Sequence, residues 1–404
     1  MKLGILGAIG VDDLGDIVLL QENIRKLGNE IEFTVFTQDA SKTRYQLEEL
    51  FEDFSIEIIE VPKLENVNHD DLIGESSDYL NEKLYFKYKN IYKDYIKCDA
   101  LYFIGGGYFN KYWEKKMEVY FELPIRLFSY LNKPIYISSV TIGPFDNETY
   151  KIKYGLFKNC HTICLRDHIQ SFRNLKKFGN TNGKVLLNMD DILISNSAIE
   201  KKSSERYVVL QQFFWVEEFA ENIDEYYKII ATFLDYLIDN LFIDKIYYIP
   251  FNNFRNGVKG GDYLYGEKIL KNYIKNKESF ILYKPFSSYQ KLRKVIRRAL
   301  FVLANRYHPL VFAHGEYTPA IGLYVNDLYK QKLQGVYEVS NLDPESHTFN
   351  INELKVEDLI NWFNQYILNE KYEINYEDLY NTYSVQKRNS IDSFIKDVLF
   401  NKEK

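Results

Sequence analysis

The residues best equipped for chemistry are Arg306-Tyr307-His308, just after a short apolar run. An arginine offers a rigid, planar fork that matches phosphate or carboxylate, and a histidine can exchange a proton near neutral pH. Alternation along an extended backbone would put Arg306 and His308 on the same side. Such a pair could hold an anionic substrate and move a proton on it. The competing account is a surface arginine beside a core histidine satisfied by its neighbours.

Other unusual clusters share this position at the end of an apolar run. Gly7–Gly10 with Asp13, Gly15 and Asp16 follows the first run, and Gly105-Gly106-Gly107 follows Ala100–Ile104. Thr141-Ile142-Gly143-Pro144 follows Ile135–Val140, Arg166-Asp167 closes Thr162–Arg166, and Asp190-Asp191 follows Lys184–Met189. Later, Asn252-Asn253 follows Lys245–Pro250. Three successive glycines allow close backbone approach and can turn amides toward an anion, although a tight turn explains them equally well. No Gly-Lys-Ser/Thr follows, so this is not a nucleotide phosphate loop. Arg166 could bind an anion or form a salt bridge, and Asp167 fits a helix N-cap. Cys160, His161, Cys164 and His168 do not converge on a tetrahedral metal site, because a strand alternates and His168 begins the next helix. We expect buried thiols and no metal there. His69, His314 and His347 have no evident partners in the sequence.

These positions imply strands with helices between them. Lys2–Gly7, Ile31–Thr37, Ile56–Val61, Ala100–Ile104, Ile135–Val140, Thr162–Arg166 and Lys184–Met189 form one predicted set. Tyr207–Gln212, Lys245–Pro250, Ser279–Tyr283, Leu300–Ala304 and Ala320–Tyr324 form another. Most lack polar alternation, as expected of parallel strands covered on both faces. The alternation with amphipathic stretches predicts an α/β protein of two Rossmann-like domains, each with a parallel sheet, facing a central cleft. We place the domains at residues 1–200 and 201–350, with helices over 351–404 packing back across them. A polar stretch, Ser195–Ser204, is the predicted linker. A helix is expected over Ile223–Leu241, with Tyr226, Ile230, Phe233, Leu237 and Leu241 on its apolar face. Another is expected over His168–Phe178, with Asp167 as N-cap, Gln170 completing a capping box and Gly179 as the stop. In open α/β sheets, ligands bind outside the carboxyl ends of the strands, where the clusters above lie.

Composition narrows the partners. The 404 residues are 46% hydrophobic and 27% charged, with a formal net charge of −6, so a general affinity for nucleic acid is not expected. The basic run Lys291, Arg293, Lys294, Arg297, Arg298 fits a solvated helix face. No uncharged apolar stretch is long enough for a membrane span, and the apolar start runs straight into Asp12 and Asp13 rather than a cleavage site. Three cysteines, odd and sparse, fit a reducing compartment, and a cytoplasmic location is expected.

Taken in order, the motifs resemble those of the polysaccharide pyruvyl transferase family. The matching residues are Asp13-Leu-Gly15-Asp16, Phe103-Ile-Gly105-Gly106-Gly107, Thr141-Ile-Gly143-Pro144 and Leu165-Arg166-Asp167-His-Ile-Gln-Ser171, then Asp190-Asp191, Asn305-Arg306-Tyr-His308 and Thr318-Pro319-Ala-Ile. The resemblance implies a GT-B-like fold. It also implies transfer of the enolpyruvyl unit of phosphoenolpyruvate onto two sugar hydroxyls, giving a cyclic ketal and phosphate. The acceptor would be an exported or cell-surface glycan, such as an exopolysaccharide, or its lipid-linked precursor. Arg306 and Arg166 would hold the donor's anionic groups, and His308 would be the proton donor. Gly105, Gly106, Gly107, Asp16 and Lys332 are the further candidate substrate-binding residues. Neither a metal nor another cofactor is implied.

Two departures stand out. Asp13 occupies a place where the family commonly has asparagine. The family's tyrosine with lysine three residues on is shifted, because Tyr324 is followed by Asp327 and the spacing returns only at Tyr329 and Lys332. Two other functions fit the same fold: a glycosyltransferase using a nucleotide sugar, and a glycan-binding relative that lacks catalysis.

Overall fold

A computed structural model of the chain describes residues 1–74, 77–193, 205–213, 215–252, 261–283, 289–374 and 376–402. The predicted linker, Ser195–Ser204, and Asn253 lie outside the described residues. Contacts divide the chain into two compact units. The first comprises Met1–Val11, Asp16–Asp191 and Asn381–Lys404, and the second Asp12–Gly15 and Ile192–Tyr380.

The first unit carries β1 (Lys2–Leu6), β2 (Glu32–Thr37), β3 (Ser55–Glu60), β4 (Ala100–Phe103), β5 (Gly106–Phe109), β6 (Ile135–Ile142), β7 (Thr162–Leu165) and β8 (Lys184–Leu187). They form an 8-stranded sheet in the order β3-β2-β1-β4-β6-β7-β8, with β5 also on β6. All of these pairings are parallel. Burial follows position in the sheet. Every residue of the central β4 and β6 is buried, whereas the edge strands β3 and β8 have exposed and half-buried residues. Runs of Ile, Val and Tyr without polar alternation are what a doubly covered sheet requires.

The second unit carries β9 (Tyr207–Gln211), β10 (Lys245–Tyr248), β11 (Phe280–Leu282), β12 (Val302–Ala304), β13 (Ala320–Tyr324) and β14 (Thr348–Asn350). The order β11-β10-β9-β12-β13-β14 is again wholly parallel. In both sheets the strand order reverses beside the first strand: between β1 and β4 in one unit, between β9 and β12 in the other. That reversal opens a crevice at the strands' carboxyl ends, the usual ligand position in this architecture.

Several local expectations need correction. The helix after Asn222 spans Ile223–Asp239 and stops short of Leu241, which adopts a left-handed φ of 57° and is 72% exposed. The helix expected over His168–Phe178 begins later, at Gln170, with Ile169 at its N-cap. Asp167 reaches forward instead, accepting hydrogen bonds from the Ser171 amide and hydroxyl. Gly179 does end that helix with a positive φ of 95°. The basic helix is only partly solvated: Arg293 and Arg297 turn inward onto buried Glu316. The strands β5 and β14 were not anticipated.

The segment 351–404 does not stand as one helical piece. Val356–Phe363 belongs to the second unit, whereas residues 381–402 of the last helix, Tyr376–Lys402, complete the first. Among the described residues, no helix is long and apolar enough to cross a membrane.

Candidate functional site

In the second unit, the crevice beside β9 and β12 is floored by amides. Gln211 ends β9, and its side-chain oxygen accepts from the backbone N–H of Arg306 at 3.0 Å. Gln212 and Asn305 are both tied to the buried Tyr226 hydroxyl, and Asn305 also donates to the Leu323 carbonyl. Rigid, satisfied amides of this kind fix the backbone from which Arg306 and His308 project.

Arg306 is not in extended strand, contrary to the alternation argument. It is the N-cap of the helix Tyr307–Gly315, so His308 lies in the first helical turn. The two side chains nevertheless converge, because both face Asp13. Arg306 Nη1 lies 2.8 Å from Asp13 Oδ2, and His308 Nδ1 lies 3.7 Å from Asp13 Oδ1. The other edge of the guanidinium makes a bidentate pair with Asp262, Nε and Nη2 each at 2.8 Å. No side chain caps the first turn of this helix, whose amides therefore add to the positive field at the strand end.

Gly15 makes room for this arrangement. A Cβ there would stand 1.8 Å from His308 Nδ1, so any side chain would expel the imidazole. The far side of the ring is unusual too: His308 Nε2 is buried without a hydrogen-bond partner among the described residues. Burial alone would push the Asp13 carboxyl up, but the Arg306 guanidinium and His308 overcome it and hold the group well below the ordinary carboxylate range. Burial likewise works against the charge on Arg306, yet Asp262 and Asp13 raise its proton affinity still further.

Lys332 belongs to the same unit and the same neighbourhood. Its ammonium sits 4.8 Å from the Tyr329 ring centre and 5.8 Å from that of Tyr307. Tyr329 packs on Phe213 at 4.8 Å, and Phe213 lies under the Arg306 guanidinium at 5.0 Å. An aromatic platform thus links Arg306 with the Tyr329…Lys332 pair, the shifted form of the motif.

The remaining candidates gather in the first unit. Gly105 and Gly106 have φ of 88° and 123°, and the run leads into β5 rather than into a helix. A Cβ on Gly105 would lie 2.9 Å from the Ser139 carbonyl oxygen, and one on Gly106 2.2 Å from the Tyr108 ring. Gly107 is half-buried, its carbonyl accepting from the Asn110 amide. Tyr108 is the centre of this group. Burial raises its hydroxyl's proton affinity, and Asp16, Arg166 and Asp190 all lie close enough to act on it. Arg166 is 1% exposed, with Nη1 on Asp190 Oδ2 at 2.8 Å and Nε on Thr141 Oγ1 at 3.0 Å. The salt bridge weighed against anion binding is therefore present.

Asp191 has a different role from its neighbour. Its carboxylate accepts from Ser138 and Asn23 and pairs with Lys387 Nζ at 2.9 Å, while Lys26 donates to its carbonyl. Burial would raise this carboxyl, but Lys387 and Lys26 bring it down to about 2. Lys387, from the last helix, is 2% exposed and also donates to Ser138 and Ser139.

Sequence reasoning missed Asp262, Phe213, Tyr108 and Lys387. Asp262 carried a usable signal, since Gly260-Gly261-Asp262 before an amphipathic run marks a turn and an acidic first helical residue. The other three carried none. All three cysteines are buried, and no group of three or more potential ligands is placed to hold a metal among the described residues. The orphan histidines have partners: His69 with Glu118, His314 with Ser340 and Tyr372, and His347 with the Trp362 indole.

Solved structures share this fold. The UDP-GlcNAc 2-epimerase of Methanocaldococcus jannaschii superposes with a TM-score of 0.56 at 14% identity, covering 93% of this chain and 95% of that one. The Neisseria meningitidis UDP-GlcNAc 2-epimerase bound to UDP-GlcNAc gives 0.55 at 12% identity, covering 99% and 100%. Phytolacca americana UGT2, complexed with UDP-2fluoro-glucose and pterostilbene, gives 0.58 at 8% identity over 100% of both chains. Such low identities establish a shared GT-B-like architecture of two parallel-sheet domains and nothing about the reaction. No curated protein sequence matches the chain. The family profile of polysaccharide pyruvyl transferase, by contrast, matches residues 14–327, from Leu14, just before the glycine that accommodates His308, to the first residue of the helix carrying Lys332. With both sheets, the Arg306–His308 site and that match in hand, the chain belongs to the polysaccharide pyruvyl transferase family.

Proposed function

We propose that the protein transfers the pyruvyl unit of phosphoenolpyruvate to two hydroxyls of a saccharide, forming a cyclic ketal and releasing phosphate. The saccharide is a surface or exported glycan or its lipid-linked precursor. Most of the support comes from the convergence of Arg306 and His308 on Asp13, with His308 Nε2 buried and without a hydrogen-bond partner among the described residues. Phosphoenolpyruvate is an enol ester bearing a phosphate and a carboxylate, so it needs a fixed cation and a proton donor. Arg306 supplies the cation, with the helix N-terminus behind it. His308 delivers a proton from Nε2 to the methylene carbon, which becomes the methyl group. The neighbouring carbon is then electrophilic, and a sugar hydroxyl adds to it. Loss of phosphate and attack by the second hydroxyl complete the ketal. Of the two hydroxyl protons released, one restores His308 and the other leaves on phosphate. No step calls for a metal.

Arg166, Asp16, Gly105, Gly106, Gly107 and Lys332 are proposed as substrate-binding residues on the same reading. The aromatic platform of Phe213 and Tyr329 favours Lys332 as a contact of the ligand that Arg306 holds. Isothermal titration with phosphoenolpyruvate beside a panel of nucleotide sugars tests the proposal. Binding of phosphoenolpyruvate with saccharide-dependent phosphate release is expected. Binding of a nucleotide sugar alone would replace this reading with a glycosyltransferase.

A further inference from the structure

Arg306 holds one positive charge between two carboxylates, Asp13 and Asp262. A third anion cannot join that cluster at full strength while both remain, because each added negative charge repels the others at low local dielectric. One carboxylate has to yield, and the two are held very differently. Asp262 is 0% exposed and accepts from five donors: Arg306 Nε and Nη2, the Gln211 side chain, and the backbone amides of Phe251 and Asn252. Removing it would strip a buried hydrogen-bonding set. Among the described residues, Asp13, whose side chain is 19% exposed, has two hydrogen bonds, from Arg306 Nη1 at 2.8 Å and from the Gly15 amide at 3.0 Å. Its third contact, His308 Nδ1 at 3.7 Å, is too long for a hydrogen bond.

We infer that Asp13 is a built-in competitor for the donor: its carboxylate fills the place on Arg306 Nη1 that an anionic group of phosphoenolpyruvate takes, and the donor binds by displacing it. The inference rests on the reading of Arg306 as the donor's anion site. Asp262 stays and keeps the fork oriented, while Asp13 turns toward solvent. The same movement removes a negative charge from beside His308 Nδ1, leaving the donor's own anion to stabilise the imidazolium. Asp13 is thus a specificity-determining residue. A ligand with one weak negative charge does not outbid it, whereas a phosphate ester that brings two or more charges does.

The test is titration of inorganic phosphate and of phosphoenolpyruvate into the full chain, as wild type, Asp13→Asn, Arg306→Lys and the double variant. Asparagine retains the bond from the Gly15 amide and removes the charge. Asp13→Asn should bind both ligands at least about tenfold more tightly, the scale of one charge-assisted hydrogen bond. Arg306→Lys should weaken both and cancel most of the gain in the double variant. Unchanged or weaker binding by Asp13→Asn, with Arg306→Lys still impaired, would overturn the competitor role and leave the donor site intact. If Arg306→Lys binds both ligands as wild type does, the donor site is misplaced and the inference falls with it. Should Asp13→Asn fail to fold, Asp13→Ser removes the same charge and is read in the same way.

Discussion

Arg166 and Arg306 both leave the carboxyl end of a parallel strand and both meet a carboxylate at 2.8 Å, yet their surroundings differ in what they leave open. Around Arg166 the pair is sealed, with side chains 1% and 0% exposed, and the adjoining Asp191 is locked by Lys387. Around Arg306 one carboxylate is sealed and the other, Asp13, is partly open to water. A buried pair resists the loss of either partner because a bare charge would be stranded. A pair with an exposed member can exchange it. On the readings proposed above, the Asp13 pair can be exchanged for a ligand, while the Arg166 pair holds its own geometry.

The sharpest way to break this contrast is at His308. His308→Ala should slow saccharide-dependent phosphate release by about 10²–10⁴-fold while shifting Tm little, the usual contribution of a positioned proton donor. A fall in activity that merely tracks the amount of folded protein would make His308 a packing residue instead. Next in size is the lock in the first unit. Lys387→Met strands the Asp191 carboxylate and should cost about 3–5 kcal/mol in denaturant unfolding. A loss below about 1 kcal/mol would mean that water replaces the ammonium there.

The arginines themselves give a smaller and more pointed comparison. Arg306→Lys keeps the charge but loses the planar fork, so donor affinity should drop by about tenfold with stability nearly unchanged. Arg166→Lys should lower stability by about 1–3 kcal/mol through the buried pair, whatever it does to affinity. Reversed outcomes, with Arg166 governing affinity alone and Arg306 stability alone, would exchange the roles assigned to them.

Acid should separate the units without any substitution. Burial lowers His314 to about 3 and His347 to about 4. Their folded values lie below the ordinary histidine value, so the stability they contribute is complete above about pH 6.5 and drains as pH falls through the folded values. Asp191, also lowered, contributes fully above about pH 4 and loses its share only toward its folded value of about 2. Between pH 6 and pH 4 the second unit should lose about 1.4 kcal/mol per pH unit for each histidine, with no matching loss from Asp191. Peptide-resolved hydrogen exchange across that range reads both units. Equal losses in the two would remove the distinction.

These contrasts were unequally legible in the amino-acid sequence. The strands could be read because both faces are covered, so Ala100–Phe103 or Val208–Leu210 appear as unbroken apolar runs. Arg306 and His308 could be singled out by type, but not their convergence. It depends on Asp13, 293 residues away, and on a helix starting one residue after Arg306 rather than on strand alternation. Lys387 was invisible for a related reason. A lone lysine in a polar helix looks solvated, and only a tertiary contact turns it inward. Periodicity reports which face of an element is covered, and says nothing about which distant charge covers it.

The last helix has a consequence for synthesis as well. Ser390 hydrogen-bonds Tyr136 across 254 residues of sequence, and Lys387 neutralises Asp191 from the same helical turn. A ribosome moving at about 5–20 residues per second needs about 10–50 seconds to cover that interval. Until the last helix arrives, the nascent first unit lacks the Lys387 ammonium beside Asp191 and the Ser390 hydroxyl beside Tyr136, while the whole second unit emerges and can fold. Order of translation and order of completion are thus inverted: the half that begins first is finished last.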